Sequence, residues 1–186
     1  TYSSSTPLNS TQFTLGTTTN DPYTTNNVIE NNASPGARSR PSLATWGEKL
    51  VLFGGQTTTD PNGNYTNYRY NNDVWICSMV TGVWTQLTTN GVQPSARYAS
   101  SINVYNDKLY VVGGYNSQAQ NGSVSEVWQL NLLTNTWYEL SVSPDANAGV
   151  FNQANVPLGI LYKHYIVFAG GEGHNRINSN GGGIPI

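Results

Sequence analysis

The chain has one cysteine among its 186 residues, so a disulfide framework cannot hold its fold. Charged side chains are also scarce, at 10% of the sequence against about 25% in a typical soluble domain. Eight Lys and Arg against ten Asp and Glu leave a net charge of −2. Binding to nucleic acid or anionic lipid needs clustered basic residues that displace counterions. The sequence therefore predicts neither kind of partner.

Long apolar stretches are missing from the sequence as well. The longest purely apolar runs, such as Leu50 to Phe53, extend over only a few residues, whereas a helix needs about 20 to span a bilayer. We therefore expect no membrane span.

In place of charged residues the chain is rich in Thr, Ser and Asn, of which it has 20, 17 and 24. A cytosolic surface is seldom built in this way.

Paired glycines recur along the chain at a nearly constant interval, offset by 59 and then 57 residues, the third pair being Gly170-Gly171. Before each of the first two pairs stands Pro-x-Ala-Arg. After each of them an acidic-Val-Trp triplet is followed nine residues later by a second Trp. Two spacings that agree between copies indicate an internal repeat. The aligned residues are Arg38, Gly54, Gly55, Trp75 and Trp84 in the first copy and Arg97, Gly113, Gly114, Trp128 and Trp137 in the second.

Each copy is predicted to form four short antiparallel strands. The first follows the repeated Arg, and the second is a nearly continuous β-branched and aromatic run that ends at the paired glycines. The third carries the Trp of the acidic-Val-Trp triplet, and the fourth begins at the second Trp. Before the fourth strand, Gly82 and Asn135 share an aligned turn position, where both tolerate the positive φ of a tight hairpin. No window predicts a helix, so the fold class is all-β.

This ordered set of residues resembles the kelch repeat over roughly residues 35–171. In the kelch family each repeat forms one four-stranded blade of a β-propeller, so the resemblance implies blades at 35–90 and 91–143. Residues 144–186 are then a partial blade of two strands with a Gly-rich end. The Thr/Ser/Asn-rich segment 1–34 is interpreted as the outer strand of a preceding blade followed by a linker.

The sequence departs from the kelch pattern at two places. The position where many kelch repeats carry His holds Pro41, Ser100 and Pro157, and Ala154 replaces the repeated Arg in the third unit. A propeller needs about four to eight blades to close, so the ring in this chain is expected to be incomplete. The remaining blades come from the same longer chain or from other copies, and both sources stay open.

Four Asn-x-Ser/Thr sequons lie in segments predicted to be loops, at Asn9, Asn32, Asn64 and Asn121. Such sequons are glycan acceptors on the surface loops of secreted proteins. We therefore expect an extracellular or cell-surface location, with a glycan on at least one sequon. Asn64 and Asn121 are the best placed of the four.

The segment that follows the first Gly-Gly pair is longer than its counterpart in the second copy and is rich in tyrosine. Aromatic residues and Arg dominate binding hot spots because they bury much area at small entropic cost. In kelch propellers the loops after the Gly-Gly strand commonly lie on the ligand-binding face, which the resemblance extends to this segment. The alternative is a solvated loop whose tyrosines pack against the neighbouring blade. The candidate binding residues are Tyr65, Tyr68, Arg69, Tyr70 and Tyr115.

The other repeated residues are predicted to be structural. Arg38 and Arg97 recur once per repeat, which favours an architectural role over ligand contact, and the repeated tryptophans are expected in the core between blades. Cys77 aligns with Leu130 of the next copy, which favours a small buried hydrophobe.

No nucleophile elbow, phosphate-binding loop or metalloprotease motif is present in the sequence, and we expect neither catalysis nor a cofactor. The leading interpretation is a non-catalytic extracellular interaction or structural module that binds protein or glycan; a subunit of a surface filament is one form of it. Two alternatives stay open. One is a fragment of a secreted copper oxidoreductase that resembles galactose oxidase. The catalytic domain of galactose oxidase resembles a kelch propeller and uses copper with a Cys–Tyr cross-link, two His and another Tyr; this chain has Cys77, His164, His174 and twelve Tyr. A cytosolic kelch adaptor is the other alternative, if the sequons are unused.

Overall fold

The computed structural model describes residues 34–58, 68–116, 124, 126–140, 158–162, 165–169 and 182–185. Every regular element in these ranges is a β-strand, so the predicted all-β fold class is confirmed. The described ranges contain no helix that could cross a bilayer. In chain order the strands are β1 (Ser42–Trp46), β2 (Lys49–Phe53), β3 (Gln56–Thr58), β4 (Tyr68–Tyr70), β5 (Val74–Ser78), β6 (Trp84–Leu87), β7 (Ser101–Tyr105), β8 (Lys108–Val112), β9 (Val127–Asn131), β10 (Thr136–Leu140), β11 (Leu158–Tyr162), β12 (Tyr165–Ala169) and β13 (Gly182–Pro185).

The two full repeats form two equivalent four-stranded antiparallel sheets. The first sheet has the order β1-β2-β5-β6, and the second has the order β7-β8-β9-β10. The first hairpin closes at the same register position in both, with Trp46 opposite Lys49 and Tyr105 opposite Lys108. The prediction of four antiparallel strands per repeat is therefore confirmed.

Short turns with a left-handed backbone join the strands. Asn106 and Asp107 have φ of 46° and 57° and form the two-residue turn between β7 and β8, as a type I′ hairpin requires. Gly82 and Asn135, at the aligned turn before the fourth strand, have φ of 72° and 55°. Glycine and asparagine adopt this conformation at small cost, so one replaces the other without changing the turn.

Three strands form where the sequence predicted none. β3 and β4 pair as an antiparallel hairpin within the segment predicted to be a loop, with Thr57 opposite Arg69. Threonine and tyrosine favour extended backbone, and pairing satisfies their backbone groups. β13 joins β12 as the third strand of the sheet β11-β12-β13, although the Gly-rich end was predicted to hold no strand. Strands pair through backbone groups, and a Gly-rich segment shows no alternating apolar pattern that would predict such pairing.

The first and second sheets pack face to face around an apolar core. Val51, Phe53 and Val74 of the first sheet lie in one buried cluster with Trp128 and Trp137 of the second. The Phe53 ring meets the Trp137 ring edge-on, with the ring centroids 5.8 Å apart. Aromatic pairs favour this geometry, so the two tryptophans help to hold the sheets together.

The second and third sheets share a smaller apolar cluster. Ile166 of β12 is buried against Tyr110, Val112 and Val127. Across the three sheets the first strands are neighbours, because β7 lies beside β1 on one side and β11 on the other. The described sheets therefore stand side by side around their first strands without closing a ring, as predicted.

One face of the third sheet is uncovered in the described part of the chain. Ile160 lies opposite Val167 and Tyr162 lies opposite Tyr165, so these four residues share that face. Ile160 is 58% exposed and Val167 is 37% exposed, whereas Val51, which aligns with Val167, is 0% exposed in the first sheet. The face that a neighbouring sheet covers in the first repeat is thus open in the third.

Candidate functional site

The candidate site lies at one end of the sheets, which we call the Gly-Gly end. It comprises residues 34–41, 54–58, 68–73, 88–100 and 113–116. In each full repeat the second strand ends here at the paired glycines, and the first and third strands begin here. Antiparallel pairing brings these strand ends to the same edge of the sheet, and the segments that carry the predicted binding residues lie here too.

The repeated arginines are held inside this end of the molecule. Arg97 is 0% exposed; its Nη1 donates to the carbonyl of Gly113 at 3.2 Å and its Nη2 to Glu126 Oε2 at 2.5 Å. Arg38 repeats the arrangement, with Nη1 donating to the Gly54 carbonyl at 2.9 Å and to Asp73 Oδ1 at 2.8 Å. Each guanidinium thus joins the Gly-Gly turn to the acidic residue before the third strand.

The acidic residue of each acidic-Val-Trp triplet has a second partner. Trp75 Nε1 donates to Asp73 Oδ2 at 2.6 Å, and Trp128 Nε1 donates to Glu126 Oε2 at 2.8 Å. Arg, acid and Trp therefore form one hydrogen-bonded unit in each repeat, which explains why the three recur together. Trp75 is buried on the face of the first sheet opposite the Phe53 core, and Trp84 is half-buried.

Two opposing effects set the pKa of Glu126. Burial raises the pKa of this carboxyl, but hydrogen bonds from Arg97 and Trp128 and the charge of Arg97 outweigh it, so the pKa lies below its usual value. The stabilisation from Glu126 is therefore complete above the ordinary value of 4.5. It is lost as the pH falls through the lower pKa of the folded state, because the unfolded chain takes up the proton first.

We expect this linkage to be measurable as acid lability. The wild-type protein should lose stability relative to the Glu126→Gln variant as the pH falls below about 4.5, because glutamine does not titrate. Urea unfolding at a series of pH values measures the difference. Glu48→Gln, at an exposed turn, serves as the control. A wild-type to Glu126→Gln difference that stays constant down to pH values well below 4.5 would contradict the prediction.

A close backbone approach locks the two repeats together beneath the site. The Gly55 N–H donates to the Arg97 carbonyl at 2.9 Å, and the Arg97 N–H donates to the Asn71 carbonyl at 2.9 Å. Gly54 has φ of 63°, and a Cβ atom there would lie 2.5 Å from the same Arg97 oxygen. Only glycine fits this approach without displacing the backbone. Backbone hydrogen bonds therefore fix the second repeat against the Gly-Gly turn of the first.

Three tyrosines form a cluster on this base, which we call the tyrosine cluster: Tyr70, Tyr98 and Tyr115. The Tyr98 ring centroid lies 5.5 Å from that of Tyr70 and 5.1 Å from that of Tyr115. Two backbone hydrogen bonds, of 3.1 and 2.9 Å, also pair Tyr98 with Tyr115. The Arg40 guanidinium lies 5.3 Å from the Tyr98 ring centroid, in cation–π geometry. Burial raises the pKa of Tyr98 while Arg40 lowers it, and burial prevails.

Strained backbone borders the tyrosine cluster. Arg40 and Ala99 hold the same aligned position in the two repeats and have φ of 51° and 55°. This left-handed conformation costs an ordinary L-residue about 1–2 kcal/mol. The Ala99 N–H donates to the Arg40 carbonyl at 3.0 Å, so the strained residues hold each other in place. Strain of this kind gathers at ligand sites.

The structure brings two of the predicted binding residues together. Tyr70 and Tyr115 have ring centroids 6.4 Å apart, on either side of Tyr98, which the sequence reasoning missed. The missed signal was its place directly after the repeated Arg, where the first copy has Ser39. Tyr68 and Arg69 are exposed on β4, and Tyr65 lies outside the described residues.

Several other predicted positions lie outside the described residues: Asn9, Asn32, Asn64, Asn121, Gly170, Gly171, His164 and His174. Cys77 is described, is 7% exposed on β5, and burial raises the pKa of its thiol. Within the described ranges no group of three or more His, Cys, Asp or Glu side chains could hold a metal ion. Cys77 is therefore not part of such a group in the described part of the chain.

A family model described as the KLHDC2/KLHL20/DRC7 Kelch-repeats domain matches residues 5–179. The chain belongs to the kelch-repeat family. It is 29% identical over 147 residues to a leucine-zipper-like transcriptional regulator 1 homolog of Drosophila melanogaster, covering 78% of this chain and 14% of that protein. To Kelch domain-containing protein 2 of Bos taurus it is 26% identical over 147 residues, covering 76% and 34%. The kelch chain thus spans about a third or less of the length of these relatives.

The kelch relatives overturn the predicted location. They are intracellular proteins, so the expectation of an extracellular or cell-surface protein is wrong. Sequons arise by chance in a chain so rich in Asn, Ser and Thr, and few charges do not require secretion. Glycosylation of the four sequons stays a prediction. It was based on a secreted chain, and that basis no longer holds. Kelch domains bind proteins. This supports the predicted interaction module and its protein partner, but it does not support the predicted glycan partner.

Proposed function

We propose that this chain is a non-catalytic protein-interaction module of an intracellular kelch adaptor, with its blades at 35–90 and 91–143. Its partner binds at the Gly-Gly end, on the tyrosine cluster. The observation that carries the proposal is the tyrosine cluster itself, in which rings from both repeats meet on a hydrogen-bonded base. Rigid tyrosines bury a large contact area at small cost in side-chain entropy.

Charge at this end supports an acidic partner segment. Arg40 and Arg69 are both exposed. The two ion pairs of the described residues use Arg38 and Arg97 instead, so the exposed arginines have no carboxylate partner in the described part of the chain. Guanidinium groups beside aromatic rings recognise carboxylates well because they donate two parallel hydrogen bonds. A protein segment that carries Asp or Glu and an apolar side chain matches this surface.

Selection from a displayed library of random peptides, followed by affinity measurement, tests the proposal. We expect acidic peptides to be enriched on the wild-type chain. Removing Tyr98 or Arg40 as Tyr98→Ala or Arg40→Ala should weaken their binding by about tenfold or more, the effect of losing a hot-spot residue. Affinity should also fall with added salt, since charge attraction is screened.

The control variant is Tyr138→Ala, which removes an exposed tyrosine in the middle of β10, an outer strand. It should bind the selected peptides as the wild type does. Urea unfolding of each variant separates lost binding from lost folding. Peptides that bind Tyr98→Ala, Arg40→Ala and wild type equally would show that the partner surface lies elsewhere.

A further inference from the structure

A polar pocket lies at the Gly-Gly end of the first repeat, where β5 begins and β6 ends. Its volume of about 370 Å³ falls within the range of about 300–1,000 Å³ that small-ligand sites have. Three of its lining residues carry a side-chain amide, so we call it the amide pocket. The polar residues that line it are Asn72, Asp73, Gln86, Thr88, Thr89 and Gln93.

Hydrogen bonds hold the walls of the amide pocket. Asn72 Nδ2 donates to the Pro94 carbonyl at 3.1 Å, which ties the start of β5 to the segment that leads into the second repeat. Thr89 Oγ1 donates to Gln93 Oε1 at 3.4 Å within that segment. These bonds use the side-chain nitrogen of Asn72 and the side-chain oxygen of Gln93. The Asn72 oxygen is therefore an acceptor for a ligand, and the Gln93 nitrogen is a donor.

The charge at the amide pocket is already paired. Asp73 is the one charged residue among those that line it. Its Oδ1 accepts from Arg38 Nη1 at 2.8 Å, and its Oδ2 accepts from Trp75 Nε1 at 2.6 Å. A second bond from Arg38, of 3.1 Å, also reaches Oδ2. A charged ligand would find no unpaired counter-charge among the lining residues, so the expected ligand is uncharged.

The lining also specifies which uncharged group would fit. Most small-ligand sites are lined by apolar side chains, whereas amide and hydroxyl groups dominate here. An apolar ligand would cover these groups without pairing them, which costs free energy. A primary amide carries two N–H donors and a carbonyl acceptor, so it matches the acceptor of Asn72 and the donor of Gln93. Gln86 and Thr88, both exposed, add an amide and a hydroxyl.

The amide pocket and the tyrosine cluster are built on the same two segments of the chain. Asn72 follows Tyr70 by two residues, and Gln93 precedes Tyr98 by five. An extended chain advances about 3.3 Å per residue, so a partner segment on the tyrosine cluster reaches the amide pocket within a few residues. We propose that the amide pocket binds an Asn or Gln side chain of the partner segment that occupies the tyrosine cluster. This inference rests on the proposed function and adds an uncharged amide to the acidic and apolar residues expected of the partner.

Titration with small probes tests the amide pocket by itself, without a partner segment. Propionamide should shift the side-chain NH₂ signals of Asn72, Gln86 and Gln93 in NMR spectra, with an affinity in the millimolar range, as for a ligand of a few atoms. Propionate has no donor and propylammonium has no acceptor, so neither should shift these signals. The side-chain NH₂ of Gln129, on β9 outside the pocket, is the internal control.

A peptide series tests the link to the partner. The probe is the tightest acidic peptide from the display selection, end-blocked and extended at either end by serine spacers of increasing length and a final glutamine. Affinity should be highest at one spacer length. At that length, replacing the glutamine by Glu, Lys or Leu should weaken binding by about fivefold, the worth of one hydrogen bond.

Gln86→Lys should change the preference of the amide pocket. The added ammonium should favour the glutamate-ended peptide over the glutamine-ended one by about tenfold, the worth of a charge-assisted hydrogen bond. Gln86 is exposed, so the substitution leaves the pairing of β6 with β5 intact. The matched control is Thr85→Lys, which adds the same charge to the neighbouring exposed residue on the other face of β6. This control should keep the preference for glutamine.

The outcomes separate the amide pocket from the proposed function. If the selected peptides depend on Tyr98 and Arg40, but propionamide shifts none of the three amides or the final glutamine has no effect at any spacer length, the amide pocket is wrong and the proposed function stands. If propionamide binds but the peptides bind Tyr98→Ala, Arg40→Ala and wild type equally, the proposed function is wrong and only the amide chemistry of the pocket is supported. One favoured spacer length, together with the changed preference of Gln86→Lys, supports the whole inference.

Discussion

Replacing Arg97 with alanine is expected to lower the free energy of unfolding by about 3–5 kcal/mol, because the change opens a cavity and leaves buried carbonyl oxygens without donors. Arg97 is fully buried and donates to Gly113, Glu126 and Ser95. Its loss leaves the Ser95 and Gly113 carbonyls without this donor. The Glu126 side chain is 39% exposed, so water would partly replace the guanidinium there. Urea unfolding followed by tryptophan fluorescence measures the change.

Arg40→Ala is the matched control for this prediction. Arg40 is exposed, and its contact with the Tyr98 ring is a cation–π interaction of about 0.5–1 kcal/mol. Arg97→Lys should recover only part of the stability, because an ammonium lacks the forked donors that reach the Gly113 carbonyl and Glu126 together. Equal unfolding midpoints for Arg97→Ala and Arg40→Ala would show that the buried arginine contributes little to the fold.

The second large effect is expected at Phe53. Phe53→Ala should cost about 3–5 kcal/mol, the usual range for truncating a fully buried aromatic ring. The ring is 1% exposed and packs edge-on against Trp137 across the junction of the first and second sheets. The cavity would open between the two sheets, so both repeats should lose stability together.

Leu43→Ala supplies the comparison for Phe53. Leu43 lies on β1, on the face of the first sheet opposite Phe53, and is 55% exposed. Its truncation should change the free energy of unfolding by less than about 1 kcal/mol, as for most exposed positions. If Phe53→Ala and Leu43→Ala unfold at the same urea concentration, the apolar junction between the sheets does not hold the repeats together.

The repeat pattern predicted the fold because each repeated residue has a local structural reason. The paired glycines permit the positive φ that the turn requires, and the Arg joins that turn to the acidic residue before the third strand. These contacts are made within each copy, so their spacing along the chain recurs. The four-stranded sheets and the kelch family could for this reason be predicted from the sequence.

The tyrosine cluster could be predicted only in part. Tyr70 and Tyr115 were expected near the binding face, but Tyr98 lies between them only because the second repeat docks on the Gly-Gly turn of the first. The sequence predicts a loop where the β3-β4 hairpin forms, since its strands are three residues long and their apolar pattern is weak. The location was predicted from composition, which carries no physical requirement for secretion, and it was wrong.

The amino-acid order alone determined the repeat, its four strands and the residues that close each turn, because these depend on backbone preferences and on contacts within one copy. Tertiary structure decided which side chains of different copies meet, and which arginines are buried and which are exposed. Those features depend on how neighbouring sheets pack, and packing joins residues whose distance along the chain carries no signal.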